Sequence, residues 1–246
     1  GGSMYPAGAA VSQVWTNNVQ GVKCNTQTST GSFQNCQDVS TGEVDVAVAT
    51  SDVVLNAYNG TGKFADIGKL DNLRVIGAVY TSVLSGVALK SSGLTYIHDL
   101  LGKRVAVGPA ASATENATLA AFAAMDITKD NTSLENLGLG DGADSVGDGI
   151  LDAAFGFAGL PTPAGTYTGQ TETANTFGVK CLIIVTADMD ADLVYDLCKA
   201  MNEHTEEMAA GNALLKDMTD PSFLCTQMPI PLHDGAQKYY SEQGLI

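Results

Sequence analysis

One pattern of seven residues occurs twice in this chain and constrains its fold more than any other feature. It reads Gly-x-φ-Asp-φ-Ala-φ, with φ apolar. The first copy is Gly42-Glu43-Val44-Asp45-Val46-Ala47-Val48 and the second is Gly149-Ile150-Leu151-Asp152-Ala153-Ala154-Phe155. Each copy follows a helix-like segment and opens an apolar strand. Upstream of each lies a small glycine-containing loop that opens a helix, Gly2–Ala7 in one case and Gly108–Thr114 in the other. The two pairs keep nearly the same spacing. A chain that repeats a loop-to-helix turn and a strand in this way is predicted to build two α/β lobes of similar design. Ligands of open parallel sheets bind outside the carboxyl ends of the strands, so two facing lobes predict a cleft lined by strand ends.

The rest of the chain alternates strand-like and helix-like stretches punctuated by glycine turns. Helices are predicted over 5–17, 32–40 (with Ser32 at the N-cap), 95–101, 113–125 and 191–209. Strands are predicted over 22–27, 44–49, 73–80, 85–90, 104–107, 150–155 and 179–186. The continuous apolar run at 44–49 reads as a buried parallel strand. The predicted lobes are 1–84 with 186–246, and 85–185, with hinge strands near 80–90 and 179–186. The Gly1-Gly2-Ser3 opening reads as a mature or trimmed chain, and no apolar run approaches a membrane span.

Charge excludes several functions. Lys+Arg total 12 against Asp+Glu 27, a formal net charge of -15. A phosphate backbone or an anionic membrane surface would repel such a chain, so nucleic acid is not expected as a partner. The five cysteines include no CxxC pair, and no histidine stands at metal-ligand spacing, so neither metal nor cofactor is expected. Most cysteines read as small core residues, and a Cys198–Cys225 bridge is compatible with an oxidising compartment. Asp141, Asp144 and Asp148 miss the calcium-loop register. The histidines His98, His204 and His233 neighbour no nucleophile, and no G-x-S-x-G elbow exists, so no catalytic residues are expected.

Binding chemistry is better represented. The Gly108–Thr114 loop places Ser112 and Thr114 hydroxyls and backbone N–H groups at a helix start, which is either an anion cradle or plain N-capping. Gly1–Gly8 repeats the design and adds Tyr5, as a cleft wall or a core aromatic. Ser51 and Asp52 end the strand at 44–49, where Asp52 either accepts an ammonium group or caps the next helix. Thr30 precedes another helix, and Tyr80 ends a strand near the expected crossing. The only arginines, Arg74 and Arg104, stand at strand starts, away from the carboxyl ends. A carboxylate there would be met by N–H groups, hydroxyls and helix dipoles, not by a guanidinium clamp. This inventory favours a small ligand, such as a zwitterion, over a highly charged one.

Taken together, GGSMYPAGAAVSQVWTNNVQGVK, STGSFQN, STGEVDVAVATSD, AYNGTGKF, LRVIGAVY, LLGKRVAVGPAASATENA, GILDAAFGFAGLP, PAGTYTGQ and MPIPLHDGAQKYYSEQGL resemble the TAXI family of solute-binding proteins, the periplasmic receptors of TRAP transporters. The resemblance implies a periplasmic-binding-protein-like fold, two Rossmann-like α/β lobes joined by crossing strands. It implies an extracytoplasmic monomer that captures a small carboxylate or amino acid, such as glutamate or glutamine, for a TRAP membrane permease. By motif match the ligand-facing residues are Ser3, Tyr5, Thr30, Ser51, Asp52, Tyr80, Ala111, Ser112 and Thr114, with Phe157 near. Thr50 stands where family members often carry Gln. The resemblance also implies a strand ahead of Gly1 and a few tens of residues between Pro161 and Pro163, both expected in the natural chain. The competing expectation is an enzyme on the same fold, a transferase or lyase with Cys36 or Cys225 as attachment site. An effector-sensing regulator is the third reading, and would need a DNA-binding segment that the composition does not supply.

Overall fold

The computed structural model describes residues 3–157 and 177–246. The chain divides into two compact units, Gly1–Thr81 with Val179–Ile246 (unit 1) and Ser82–Gly178 (unit 2). Strand β2, Leu73–Ala88, passes from unit 1 into unit 2, and strand β6, Gly178–Thr186, returns.

Unit 1 opens with helix α1, Met4–Asn18. It buries Ala7, Val11, Val14 and Trp15, spaced so that one stripe faces inward. Helix α2 (Ser32–Thr41), strand β1 (Ala47–Thr50) and helix α3 (Ser51–Asn59) follow. Strand β6 pairs antiparallel with β1 on one side and neighbours β2 on the other. From Val75 to Tyr80 every residue of β2 is buried, as a strand covered on both faces requires. Helices α6 (Ala191–Glu203), α7 (Thr205–Gly211), α8 (Pro221–Cys225) and α9 (Asp234–Glu242) complete the unit. Trp15 is buried between α1 and α6, and its indole N–H donates to the Leu197 carbonyl at 3.0 Å. Tyr240 donates its hydroxyl to the Ile76 carbonyl at 2.9 Å, tying α9 to β2.

In unit 2 the sheet runs β2, β5 (Ala153–Phe157), β3 (Arg104–Ala106), β4 (Ser133–Glu135). Strand β3 is parallel to both β5 and β4, while β2 is antiparallel to β5. Strand alternation sorts the core onto two faces. Val105 and Val107 join Phe122 of helix α4 (Ala113–Ala123), and Ala106 joins Val146 of helix α5 (Leu139–Gly147). Helix α5 approaches closely because Gly142 has no side chain: a Cβ there would stand 2.8 Å from the Cβ of Ala154.

The repeated motif plays the same part in both units. Gly42 ends α2 with φ 77°, and Gly149 follows α5 with φ 73°, a left-handed conformation suited to glycine. The strands β1 and β5 begin a few residues later. In unit 2 the motif aspartate has a clear task. Asp152 accepts the Arg104 backbone N–H at 2.8 Å and the guanidinium at 3.2 and 3.1 Å.

Several expectations are corrected. The segment 44–49 is not a buried parallel strand. Its ladder spans only Ala47–Thr50, is antiparallel to β6, and leaves Ala47 and Val48 half-buried. The predicted strand 22–27 has no ladder at all. The two strands 73–80 and 85–90 are one, because nothing in Thr81–Leu84 breaks extended backbone. The helix 191–209 splits at His204 (φ -117°, ψ 20°), where the buried Thr205 turns its hydroxyl toward the Asn202 carbonyl. The segment 95–101 forms only a short 3-10 turn, Ile97–Leu100. Pro161–Tyr167, part of the TAXI resemblance, lies outside the described residues.

Candidate functional site

Three helices of unit 1 begin close together at the carboxyl end of β1. Helix α3 starts directly after Thr50. Helix α2 starts at Ser32, which is fully buried and whose hydroxyl accepts the Thr50 backbone N–H at 3.1 Å. Helix α1 starts at Met4, whose sulfur accepts the Ser32 hydroxyl at 3.9 Å. Ser32 was the expected N-cap of α2. Instead Gly31 takes that position with φ 138°, and the Ser32 side chain ties two helix starts to the strand end.

None of these three helices has a side-chain cap at its N-terminus. A helix start carries backbone N–H groups without intrahelical partners and roughly half a positive charge. Three such ends gathered at one strand end favour an anionic group.

The expected site residues of unit 1 take different places around this point. Ser3 precedes α1 and its hydroxyl meets the Tyr80 hydroxyl at 2.9 Å. Tyr80 is buried, and burial first, then Cys181, pushes its phenol well above the ordinary range. Tyr5 is exposed on the first turn of α1. Ser51 and Asp52 form the first turn of α3, both half-buried. Asp52 lies near enough to Cys36 to add to the burial that raises this thiol to about 12. Thr30 is turned to its own helix, with its N–H and hydroxyl both donating to the Gln34 side chain at 2.9 and 2.8 Å.

Unit 2 is built differently. Ser112 caps α4 by accepting the Glu115 N–H at 3.1 Å. Glu115 in turn accepts the Ala111 N–H at 2.8 Å, and its other oxygen accepts the Asn136 amide at 2.9 Å. Asn136 also donates to the Gly108 carbonyl at 3.0 Å, closing the loop at both ends. Ala111 is held at φ 61°, a costly conformation for a residue with a Cβ. Thr114 packs on Gly108, where a Cβ would stand 2.6 Å from the threonine methyl. The plain capping reading of Ser112 therefore applies, and a carboxylate of the chain already occupies the Ala111 amide. Phe157 ends β5, paired with Leu84, and is half-buried.

Among the described residues no group of three or more His, Cys, Asp or Glu could hold a metal ion, and no helix is long and apolar enough to cross a membrane. All five cysteines are thiols. Cys198 donates to the Ile76 carbonyl at 3.2 Å, and burial raises it to about 12. The Cys198–Cys225 bridge is thus not formed. Reaction with DTNB at pH 8 is expected to label Cys24, the half-buried thiol, and to reach Cys36 and Cys198 only on unfolding. Labelling of either buried thiol at the rate of Cys24 would contradict this packing.

Residues 1–164 and 162–244 match the NMT1-like family. The chain belongs to that family. This NMT1-like protein shares its fold with periplasmic solute-binding proteins. The alkanesulfonate-binding protein SsuA from Xanthomonas axonopodis pv. citri, bound to MOPS, superposes with a TM-score of 0.57 at 16% identity, covering 97% of this chain and 80% of that one. AbpA from Streptococcus pneumoniae, an amino acid ABC transporter substrate-binding protein bound to L-arginine, gives 0.53 at 17%, covering 86% and 82%. A putative L-cystine ABC transporter protein from Listeria monocytogenes gives 0.55 at 14%, covering 85% of each chain.

Sequence reasoning missed the joining role of Ser32 in this NMT1-like chain, and missed Glu115 and Asn136. The spacing Ser112-x-x-Glu115 is a capping-box signature and could have predicted that the loop is satisfied from within. Asn136 lies far from the loop in sequence and carries no such signal.

Proposed function

We propose that this protein is an extracytoplasmic solute-binding receptor that captures a small carboxylate or amino acid, such as glutamate or glutamine. Its partner is a membrane permease, and the TAXI-like segments favour the TRAP class. The observation that carries this reading is the meeting of three uncapped helix starts at Ser32, beside Ser51 and Asp52. The helix starts take the carboxylate and Asp52 takes an ammonium group, which suits a zwitterion better than a multiply charged anion. That proteins of this fold were found with MOPS and L-arginine supports a small polar ligand. No constellation of nucleophile and base stands among the residues at Ser32, so binding rather than turnover fits the point of convergence.

Native mass spectrometry of the purified protein, before and after mild denaturation, tests the reading. Release of a near-stoichiometric small acid or amino acid is the expected result. An empty protein whose melting temperature does not respond to glutamate, glutamine or dicarboxylates at millimolar concentration would overturn it.

A further inference from the structure

Asn59-Gly60 is the single Asn-Gly pair of the chain. It stands at the end of α3, with Asn59 the last helical residue and Gly60 in the left-handed conformation at φ 65°. Asn59 is exposed, and among the described residues its side-chain amide makes no hydrogen bond. Glycine has no side chain to shield its own backbone nitrogen. A free asparagine amide beside an unshielded backbone nitrogen is the pairing from which a succinimide forms. The Gly60 nitrogen attacks the Asn59 side-chain carbonyl carbon, the new C–N bond closes the ring, and ammonia leaves. Water then opens the ring at either carbonyl and gives aspartate or isoaspartate.

The fold holds that nitrogen back. The Gly60 N–H donates to the Ala57 carbonyl at 3.2 Å and the Thr61 N–H to the Asn56 carbonyl at 2.9 Å, the bonds of a glycine helix cap. The Thr61 hydroxyl adds a bond to the Asn56 side-chain oxygen at 2.9 Å, and the Leu70 N–H donates to the same Ala57 carbonyl at 2.9 Å. Attack requires the Gly60 nitrogen to turn out of this cap, so the last turn of α3 must open first. The same packing sets the consequence. A Cβ on Gly60 would stand 2.9 Å from the Gly68 carbonyl carbon and 2.9 Å from the Lys69 nitrogen, so two stretches of backbone meet there. Isoaspartate routes the main chain through the Asn59 Cβ and adds one carbon to the backbone at this contact. Room for it exists only if the cap parts from Gly68 and Lys69, which loosens the helix that carries Ser51 and Asp52 in its first turn. We propose that Asn59 is a site of spontaneous conversion to isoaspartate, gated by opening of the α3 cap and destabilising α3 once formed.

Ageing the purified protein at 37 °C and pH 8.5 tests this, read by peptide mapping with fragmentation that separates isoaspartate from aspartate. The expected result is isoaspartate at Asn59 ahead of every other asparagine, formed at least about tenfold more slowly in the native chain than in guanidinium chloride. Thr61→Ala removes one bond of the cap. It should speed the native reaction severalfold and leave the denatured rate unchanged. The aged protein should melt a few degrees below the fresh one. Asn59→Asp carries the new charge without the added carbon, and should melt within about a degree of the parent. Asn59→Gln, whose longer side chain closes a ring far less readily, should age without this loss. The proposal fails if no isoaspartate accumulates at Asn59 in the native chain, if native and denatured rates are equal, or if Thr61→Ala changes both rates alike. It also fails if the modified protein keeps the parent melting temperature, if Asn59→Gln ages with the same loss, or if Asn59→Asp loses as much, which would make charge the cause.

Discussion

Replacing Gly235 by alanine is expected to lower the melting temperature by about 6–12 °C, from a cost near 3 kcal/mol at 2–4 °C per kcal/mol for a chain of this size. Gly235 sits in the first turn of α9, where a Cβ would run into the Ala191 carbonyl oxygen and stand 2.9 Å from the Tyr195 nitrogen. Both are backbone atoms of α6, so neither can rotate away, and relief requires the two helices to part. The parting would strip contacts from Tyr239 and Tyr240, which are buried on α9, and from the Tyr240 bond to β2. Gly77→Ala provides the contrast. There the added carbon meets the terminal methyl of Met201, a flexible side chain, with the Tyr240 hydroxyl 3.1 Å away. A thioether can swing aside, so this variant should lose about 1–2 kcal/mol. Trp15, the single tryptophan, reports both melts. If Gly235→Ala melts within a degree of the parent while Gly77→Ala falls further, the tight α6–α9 contact is not a determinant of stability.

How much of this could be read from the sequence depends on whether the signal was local. The repeated motif marked a strand in each unit, although both strands begin three residues later than expected, because helix ends, glycine turns and aspartates act over a few residues. The helix at 5–17 and the strand at 73–80 were legible for the same reason: period is written into consecutive side chains. Two of the failures in unit 1 share a root. Segments 22–27 and 44–49 carry strand sequences, and the alternation of 22–27 persists in the structure. A ladder, however, needs a neighbour, and these two segments flank a cavity instead of each other. Propensity was read correctly and pairing was not, since pairing belongs to the partner as much as to the strand. The site was legible as residue types and not as geometry. Ser32 reads as a helix cap from its position before a polar-apolar run. Only the approach of Thr50 and Met4 from either side reveals it as the joint of three helix starts. At Gly108–Thr114 the residues of an anion cradle are all present, and a carboxylate of the chain, Glu115, accepts the Ala111 backbone N–H.

Asp52→Asn is the variant expected to change binding most, and to do so selectively. Asparagine keeps the size of the side chain and still favours a helix start, so α3 should form as before. What is lost is the negative charge beside the uncapped helix starts. In the proposed receptor that charge meets the ammonium group of an amino acid. A hydrogen bond between charged groups is worth about 1.5–3 kcal/mol, and 1.4 kcal/mol is tenfold in affinity. Glutamate should therefore bind about 10–100-fold more weakly. Succinate, which offers carboxylates and no ammonium, should bind as well or better, because the same substitution removes a repulsive charge from its surroundings. Isothermal titration with both ligands separates the outcomes. A loss that falls equally on glutamate and succinate would mean that Asp52 acts by shaping the site and meets no ammonium group. Cys36 supplies the folding control. Its elevation to about 12 rests first on burial and only then on Asp52, so in a folded variant it should stay silent to DTNB although its acidic neighbour is gone.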